Sequence, residues 1–261
     1  MESQPNGAHR GRLKLPSHSI GPDDIAAGFL KEPTDGLRYE HVDDDPSEVS
    51  ALIAGLVPEG ARVLDVGCGT GCVALVIQQR RSACVVGVEP HPDRAQTARQ
   101  RGIEVVEGYL CKELLERLGS FDVVVFADVL EHLANPSTAL HLGCSALKRD
   151  GAIVISVPNV AHWSIRWALL RGRFDYEPYG IMDATHLRWF TADSLTNWLR
   201  NNGLHVEQMA HSAGARLPVY EHAWPWRSMH EYRRSKLIRH LATRWPLLFG
   251  CQHIVRASLA G

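Results

Sequence analysis

A glycine-rich turn between a short apolar strand and a helix is the feature of this sequence that most constrains its fold. The strand is predicted over 62–66, the glycines are Gly67, Gly69 and Gly71, and an apolar helical pattern follows over 73–79. Gly67 and Gly69 lack a Cβ, so the backbone there can approach a ligand closely, and Gly71 allows tight packing where the helix begins. The sequence therefore predicts a ligand-binding turn at the carboxyl end of a buried strand.

Strands and helices alternate around this turn. Apolar residues at helical spacing predict a helix over about 47–57, with Pro46 in its first turn. The further predicted elements are strands over 83–89, 102–107, 121–126 and 152–157 and helices over 93–101, 112–118 and 136–148. This alternation is typical of parallel βαβ units, whose strands are buried on both faces. We therefore expect an α/β protein.

The ends of the chain and the region after Pro158 depart from this pattern. Residues 1–22 lack periodicity and are predicted to be a flexible tail, whereas 23–261 are predicted to form one domain. An acceptor-site segment over 159–191 is rich in Trp, Arg, His and Tyr. The remaining predictions are a helix over about 192–201 with Thr191 as its N-cap, closing strands over 204–209 and 252–259, and an insertion over 212–250 with a helix at about 228–244.

Two carboxylates near the turn indicate which ligand it holds. Glu89 ends the strand after the turn, where an acid typically hydrogen-bonds ribose hydroxyls. Asp65 precedes Gly67, and the glycines follow a G-x-G-x-G spacing rather than the G-x-G-x-x-G of dinucleotide sites. A carboxylate at Asp65 would repel a pyrophosphate and suit a cationic sulfonium amino acid.

At these segments the sequence resembles the class I S-adenosylmethionine-dependent methyltransferases. The matching strings are V-L-D-V-G-C-G-T-G at 63–71, G-V-E-P at 87–90 and F-D-V-V-V-F-A-D-V-L-E-H-L at 121–133. The resemblance implies a Rossmann-like, seven-stranded, mostly parallel sheet with helices on both faces and an antiparallel last strand. It also implies S-adenosyl-L-methionine as cofactor, held by Asp65, Gly67, Cys68, Gly69, Gly71, Glu89, Pro90, Gly108, Tyr109, Asp128 and Val129. Tyr109 stands where the family usually has an acid near the adenine.

The acceptor should lie beyond the carboxyl ends of the strands, where ligands bind in open α/β sheets. The string D-x-T-H-L-R-W-F-T at 183–191, which follows V-P-N-x-x-H-W at 157–163, resembles small-molecule, MetW-like or UbiG-like subgroups of this family. Methyl transfer is an in-line displacement, and a hydroxyl acceptor must also lose its proton, for which a histidine of near-neutral pKa is suited.

The candidate residues for this acceptor chemistry have alternative structural roles. The histidines, in order of preference, are His186, His162 and His132, and each could instead serve packing, capping or the surface. The candidate substrate-binding residues are Asn159, Trp163, Asp183 and Arg188. Asp183 and Arg188 could instead pair with each other to brace the loop. Neither an H-x-x-H pattern nor a carboxylate cluster indicates a metal site, so no metal is predicted.

Composition narrows the choice of partners and compartment. The formal net charge is -1, so no overall field recruits nucleic acid. The six cysteines include no C-x-x-C pair, which favours free thiols in a reducing cytoplasm. No apolar run approaches the roughly 20 residues needed to cross a bilayer, so stable membrane insertion is not expected.

The insertion and the activity each leave alternatives open. Residues 224–249 combine aromatic and basic side chains and could form a lid, a homodimer contact or a membrane-surface helix, or a buried stripe with a solvated basic face. For the activity we expect methyl transfer to a small molecule in a natural-product or glycan pathway, at oxygen before nitrogen or carbon. A macromolecule methyltransferase, a non-catalytic MetW-like partner protein and an NAD-dependent oxidoreductase are the alternatives.

Overall fold

The computed structural model describes residues 45–260 of the chain. The strands are β1 (Arg62–Val66), β2 (Cys84–Glu89), β3 (Glu104–Glu107), β4 (Phe121–Ala127), β5 (Leu147–Pro158), β6 (Leu204–His211) and β7 (Gln252–Leu259). The α-helices are α1 (Val49–Leu56), α2 (Cys72–Arg81), α3 (Pro92–Gln100), α4 (Lys112–Leu118), α5 (Pro136–Ser145), α6 (Trp163–Leu170), α7 (Ala192–Asn201), α8 (Pro218–His222), α9 (Glu231–Arg244) and α10 (Pro246–Phe249). Two 3-10 turns cover Leu130–His132 and Trp226–Ser228.

The seven strands form one sheet in the order β3-β2-β1-β4-β5-β7-β6. The pairs from β3 through to β5 are parallel, and β7 runs antiparallel to both of its neighbours, β5 and β6. This arrangement confirms the Rossmann-like sheet with an antiparallel last strand. It also leaves β1 beside β4, where the strand order reverses and a crevice opens at the carboxyl ends of the strands.

Each face of the sheet is covered by its own helices and its own core. On one face Leu114, Leu140 and Leu195, from α4, α5 and α7, pack on buried residues of β1, β4 and β5. On the other face α1, α2 and α3 contribute Ile53, Ile77 and Ala98. Because side chains alternate along a strand and both faces are buried, the central strands are apolar throughout, as the sequence indicates.

Two predicted boundaries differ from the structure. Pro46 does not lie in the first turn of α1, because Asp45 accepts hydrogen bonds from the backbone N–H and hydroxyl of Ser47 and closes a separate turn before Val49. Helix α5 ends at Ser145 rather than at 148, and β5 begins at Leu147, which pairs with Phe121. The exposed polar residues that open β5 hid this part of the strand from an apolar pattern.

The segment after β5 contains a helix that the sequence did not predict. Helix α6 begins after His162, whose ring accepts a hydrogen bond from the Ser164 backbone N–H as an N-cap. The insertion between β6 and β7 holds α8, α9 and α10, so its predicted helix at 228–244 is confirmed over 231–244. The predicted tail, 1–22, lies outside the described residues. Within 45–260 no helix has the length and apolar character required to cross a bilayer.

Candidate active site

A cavity of about 340 Å³ opens at the carboxyl ends of β1, β2 and β4, at the point where the strand order reverses. Its wall is built by the glycine-rich turn, the end of β2, the segment 127–132 after β4, and residues from the loop before α7. The start of α1 and the residues that enter β7 complete it. The structure thus brings the predicted cofactor turn and part of the predicted acceptor segment to one cavity.

Asp65 is a buried carboxylate without a hydrogen-bond partner among residues 45–260. It lines the cavity at the end of β1, is 1% exposed, and neither of its carboxylate oxygens is paired in the structure. Burial and the nearby Glu89 carboxylate raise the pKa of Asp65 to about 7. A buried acid of this kind is costly unless a donor or a cation completes it. This site therefore fits a cationic ligand.

Glu89 is oriented by the backbone around it. One carboxylate oxygen accepts the Gly69 N–H at 2.8 Å, and the other accepts the His91 N–H at 3.0 Å. Each oxygen keeps a further lone pair, because a carboxylate oxygen can accept two hydrogen bonds. Glu89 also lines the cavity, so these lone pairs can receive two neighbouring hydroxyl groups, which is the chemistry of a ribose.

The three glycines of the turn have different roles, and all three have positive φ. A Cβ on Gly67 would lie 2.8 Å from Val129 Cγ2, whereas a Cβ on Gly69 would meet no atom within 4 Å. Gly69 therefore faces open space in the cavity, and Gly67 allows the segment after β4 to approach. A Cβ on Gly71 would lie 3.0 Å from the Ala98 Cβ, so Gly71 serves the packing of α2 on α3.

The segment after β4 places further predicted cofactor residues at the cavity. Asp128 adopts a φ of 54° and accepts hydrogen bonds from the Ser156 hydroxyl at 2.8 Å and the Gln252 side-chain amide at 3.1 Å. Burial raises the pKa of Asp128, and these two hydrogen bonds oppose that effect. Cys68, Pro90 and Val129 also line the cavity.

Three predicted cofactor residues do not line the cavity. Gly71 packs inside the fold, as described above. Gly108 and Tyr109 follow β3. Gly108 has a φ of 139° and donates its N–H to the carbonyl of Glu89. Gly108 thus supports the end of β2 on which Glu89 lies.

Two of the three candidate histidines meet in the cavity. His132 and His186 pack edge to face with ring centroids 4.7 Å apart. His186 Nδ1 lies 3.2 Å from the Ile181 carbonyl, which can only accept a hydrogen bond, so Nδ1 carries the proton and Nε2 keeps its lone pair. Burial and the neighbouring His132 lower the pKa of His186 to about 4. His186 is therefore neutral at physiological pH.

A chain of hydrogen bonds sets which ring nitrogen of His132 carries the proton, as the Ile181 carbonyl does for His186. The Thr185 hydroxyl donates to Asp183 Oδ1 at 2.7 Å, and its oxygen lies 3.0 Å from His132 Nδ1. Because the hydroxyl proton is used on Asp183, Nδ1 of His132 is the donor to Thr185. The lone pair of His132 consequently lies on Nε2.

Glu131 completes a group of three that can ligate a metal. It is 0% exposed, it lines the cavity, and both of its carboxylate oxygens are unpaired in the structure. Burial raises its pKa well above the usual range. Glu131, His132 and His186 each offer a ligand atom, and these atoms lie within 4.8 Å of one another. The prediction of no metal site rested on local spacing, and spacing could not reveal a ligand as distant along the chain as His186.

The third candidate histidine, His162, lies outside the cavity. Its Nε2 is 3.0 Å from the Tyr220 hydroxyl and its Nδ1 accepts from Ser164, so both ring nitrogens are engaged. Burial lowers the pKa of His162 to about 3. Trp163, a candidate substrate residue, donates its indole N–H to the same Tyr220 hydroxyl at 2.9 Å and packs against Trp226. Both residues join α6 to the insertion, which for His162 is the structural alternative that the sequence left open.

The other three candidate substrate residues brace loops around the cavity and do not line it. The Asn159 side chain donates to the carbonyl of Gly250 at 2.8 Å and accepts the Ala161 N–H. Asp183 accepts two hydrogen bonds from Thr185, and Arg188 donates to the carbonyls of Leu133 and Ala134. Arg188 therefore ties the acceptor loop to the segment after the 3-10 turn.

The cavity also contains residues that the sequence analysis did not single out. These are Arg94 from α3 and Cys251 and Gln252 from the start of β7, whereas the lining residues Gly180 and Ile181 belong to the predicted acceptor-site segment 159–191. Cys251 and Gln252 reach the cavity because β7 is antiparallel, and an antiparallel strand begins at the edge of the sheet where its parallel neighbours end. The predicted antiparallel last strand could therefore have indicated these two residues.

The fold and the cavity define a class I S-adenosylmethionine-dependent methyltransferase. A family model described as a methyltransferase domain matches residues 39–209, and the chain belongs to this family. This result confirms the predicted enzyme class and cofactor and does not support the NAD-dependent alternative.

Individual proteins resemble this chain in sequence or in fold. The ubiquinone biosynthesis O-methyltransferase of Xanthomonas axonopodis pv. citri is 29% identical over 206 residues, which are 76% of this chain and 81% of that protein. A methyltransferase structure from Thiobacillus denitrificans, in complex with S-adenosyl-L-homocysteine, superposes with a TM-score of 0.53 at 11% identity, covering 88% of this chain and 99% of that one. One from Archaeoglobus fulgidus superposes with a TM-score of 0.51 at 19% identity, covering 84% and 99%.

Proposed function

We propose that this methyltransferase transfers the methyl group of S-adenosyl-L-methionine to a hydroxyl group of a small molecule in a biosynthetic pathway. The observation that carries the proposal is that His132, His186 and the unpaired Glu131 face the same cavity as Asp65 and Glu89. One part of the cavity suits the cofactor, and the other offers groups that accept a proton or hold an oxygen. The match to an O-methyltransferase supports oxygen over nitrogen or carbon.

In this proposal the cofactor is held from the glycine-rich turn and the ends of β2 and β4. Asp65 receives the cationic amino acid part, which its two unpaired oxygens fit, and Glu89 receives the ribose hydroxyls. The backbone of Gly67, Cys68 and Gly69 lies along the ligand. The remaining contacts come from Pro90 at the adenine edge and from Asp128 and Val129 beside the methionine part.

The acceptor chemistry is assigned to His186. The acceptor oxygen attacks the methyl carbon in line with the sulfur, a new C–O bond forms, and the C–S bond breaks to leave S-adenosylhomocysteine. The hydroxyl proton passes to Nε2 of His186, which keeps its lone pair because Nδ1 donates its proton to the Ile181 carbonyl. His132 packs against His186 and limits its rotation. Close placement of the two reactants supplies much of the rate enhancement.

The same three groups also fit a divalent cation. The Glu131 carboxylate and the imidazole rings of His132 and His186 are a ligand set typical of zinc, manganese or iron. When bound, such a cation would lower the pKa of an acceptor hydroxyl. In that case Glu131, His132 and His186 act together as the ligands, and addition of EDTA should abolish turnover while leaving cofactor affinity unchanged.

Calorimetric titration with S-adenosyl-L-methionine, S-adenosylhomocysteine and NAD tests the cofactor site, and methyl transfer to a panel of phenols and catechols tests the reaction. We expect binding of the first two ligands without NAD, followed by transfer to a hydroxyl. Cofactor binding without turnover on any acceptor would instead support the MetW-like partner protein. Transfer to nitrogen, carbon or a macromolecule would contradict the assignment of the acceptor.

We expect His186→Ala to lower kcat by about 10²- to 10⁴-fold, the usual contribution of a general base. The affinity for S-adenosylhomocysteine should stay within about twofold, since His186 lies in the acceptor part of the cavity. His141→Ala, on the exposed surface of α5, is the matched control and should be silent. Equal loss of cofactor affinity or folding would show that His186 is structural.

The remaining expectations concern compartment and partners. The six cysteines are free thiols in the structure, which suits a reducing cytoplasm. The near-neutral charge balance argues against nucleic acid as the acceptor, and steep salt dependence of substrate binding would contradict that expectation. A homodimer stays a prediction, to be measured by light scattering.

A further inference from the structure

The insertion between β6 and β7 exposes large apolar side chains on its surface. Trp224 is 77% exposed and Tyr232 is 69% exposed, and Leu237, Trp245 and Leu247 are exposed as well. Isolated apolar residues are normal on a protein surface, but five within one short segment indicate an interaction site. We call the exposed part of residues 224–247 the insertion surface.

The insertion surface is also strongly basic. Residues 224–247 contain six Lys and Arg residues and a single acid, Glu231, although the whole chain has a formal net charge of -1. Arg239 pairs with Asp45, whereas the exposed Arg233 and Lys236 on α9 have no acidic partner among residues 45–260. Within the described residues the positive charge is thus local, and Arg233 and Lys236 carry it without an acidic partner.

The insertion is firmly attached next to the cavity. Tyr220 and Ile238 are fully buried against Trp163 and Trp226, and Tyr220 bonds to α6 through His162 and Trp163. Asn159 directly follows the cavity residue Pro158, and its side chain donates a hydrogen bond to the carbonyl of Gly250. The insertion surface therefore keeps a fixed position relative to the cavity.

We propose that the insertion surface docks on an anionic membrane surface. Exposed aromatic and aliphatic side chains interspersed with Lys and Arg are typical of surfaces that lie at the lipid headgroup boundary. A nucleic acid or an acidic polymer would satisfy the cations but would leave Leu237 and Leu247 in water. Docking holds the enzyme at the lipid surface, and it is independent of which atom of the acceptor is methylated.

The test is co-sedimentation of the full chain with vesicles of phosphatidylcholine alone and of phosphatidylcholine mixed with phosphatidylglycerol. We expect binding to the anionic vesicles only, weakened by added salt. The variant Arg233→Glu/Lys236→Glu should lower the partition coefficient about tenfold or more, because it replaces attraction by repulsion. The matched control, Lys112→Glu/Arg117→Glu on the exposed face of α4, should bind like the wild type.

A second variant distinguishes a membrane from other polyanions. Trp224→Ser/Leu247→Ser should weaken vesicle binding and leave retention on a heparin column unchanged. Absence of binding to anionic vesicles would overturn the proposal, and so would binding that both double variants leave unchanged. A dimer in solution that Trp224→Ser/Leu247→Ser dissociates would also overturn it and would assign the surface to a second copy of the chain.

Discussion

At the scale of single residues, Asp65, the proposed partner of the cationic part of the cofactor, also affects the stability of the fold. Its unpaired carboxylate is buried at the end of β1, and its pKa is raised to about 7 by burial and by Glu89. Without a ligand this carboxylate is a cost to the fold, whereas with a cationic ligand it becomes a partner. The position of an acid just before the glycines was visible in the sequence, but its lack of a partner was not.

The free-energy cost of burying the Asp65 carboxylate depends on pH. In the unfolded chain Asp65 loses its proton near pH 3.8, whereas in the folded protein it keeps it until about pH 7. Between these values the folded state binds more protons, so the contribution of Asp65 to stability falls as pH rises. Asp65→Asn removes this loss, and we expect the ligand-free variant to be more stable than the wild type by about 4 kcal/mol at pH 7 and by about 0.5 kcal/mol at pH 4.

Urea unfolding at both pH values measures this difference, and Asp150→Asn, at an exposed acid on β5, is the control. The same Asp65→Asn protein should bind S-adenosyl-L-methionine more weakly, since it has lost the negative charge. A stability difference that does not grow with pH would show that Asp65 is compensated in the folded protein.

At the scale of elements, the glycine-rich turn joins local conformation to helix packing. Gly71 lies at the N-cap of α2 with a φ of 81°, and any Cβ there would press on Ala98 and Ile103. The strand, the turn and the helix were all predicted from the sequence, because each depends on neighbouring residues. The contact with Ala98 of α3 is the part that required the tertiary structure.

We expect Gly71→Ala to lower the free energy of unfolding by about 1–3 kcal/mol, through left-handed backbone strain and overpacking. Gly55→Ala is the matched control, because Gly55 lies within α1 with no atom near its missing Cβ. There alanine should stabilise the protein by about 0.5–1 kcal/mol, its advantage over glycine in a helix. Equal effects in denaturant unfolding would show that the position of Gly71 tolerates a side chain.

At the scale of the whole molecule, Tyr220 holds the insertion on the sheet domain. Its buried hydroxyl lies 3.0 Å from His162 Nε2 and accepts the Trp163 indole N–H. These residues come from segments that are far apart along the chain. His162, which the sequence suggested as a candidate for proton transfer, is therefore a neutral residue that packs between α6 and α8.

Tyr220→Phe leaves the ring nitrogens of His162 and Trp163 without their partner, and we expect it to cost about 1–3 kcal/mol of stability. For a chain of this size that corresponds to a decrease in Tm of about 2–10 °C. Cofactor affinity should be unchanged, because neither contact lies in the cavity. Tyr232→Phe, at an exposed ring on α9, should leave Tm unaltered, and calorimetry of both variants decides between these outcomes.

The sequence alone determined the alternation of strands and helices through β5, the glycine-rich turn, and the position of the carboxylates Asp65 and Glu89 at strand ends. These depend on residues close together along the chain, where periodicity, glycine conformation and strand ends act directly. Only the tertiary structure decided which histidines meet in the cavity, because His132 and His186 are brought together by loops whose course depends on packing. It also decided that Glu131 lies unpaired beside them, that Arg188 braces a loop, and that the insertion is anchored through Tyr220. Those outcomes follow from contacts between distant segments, and no local pattern records them.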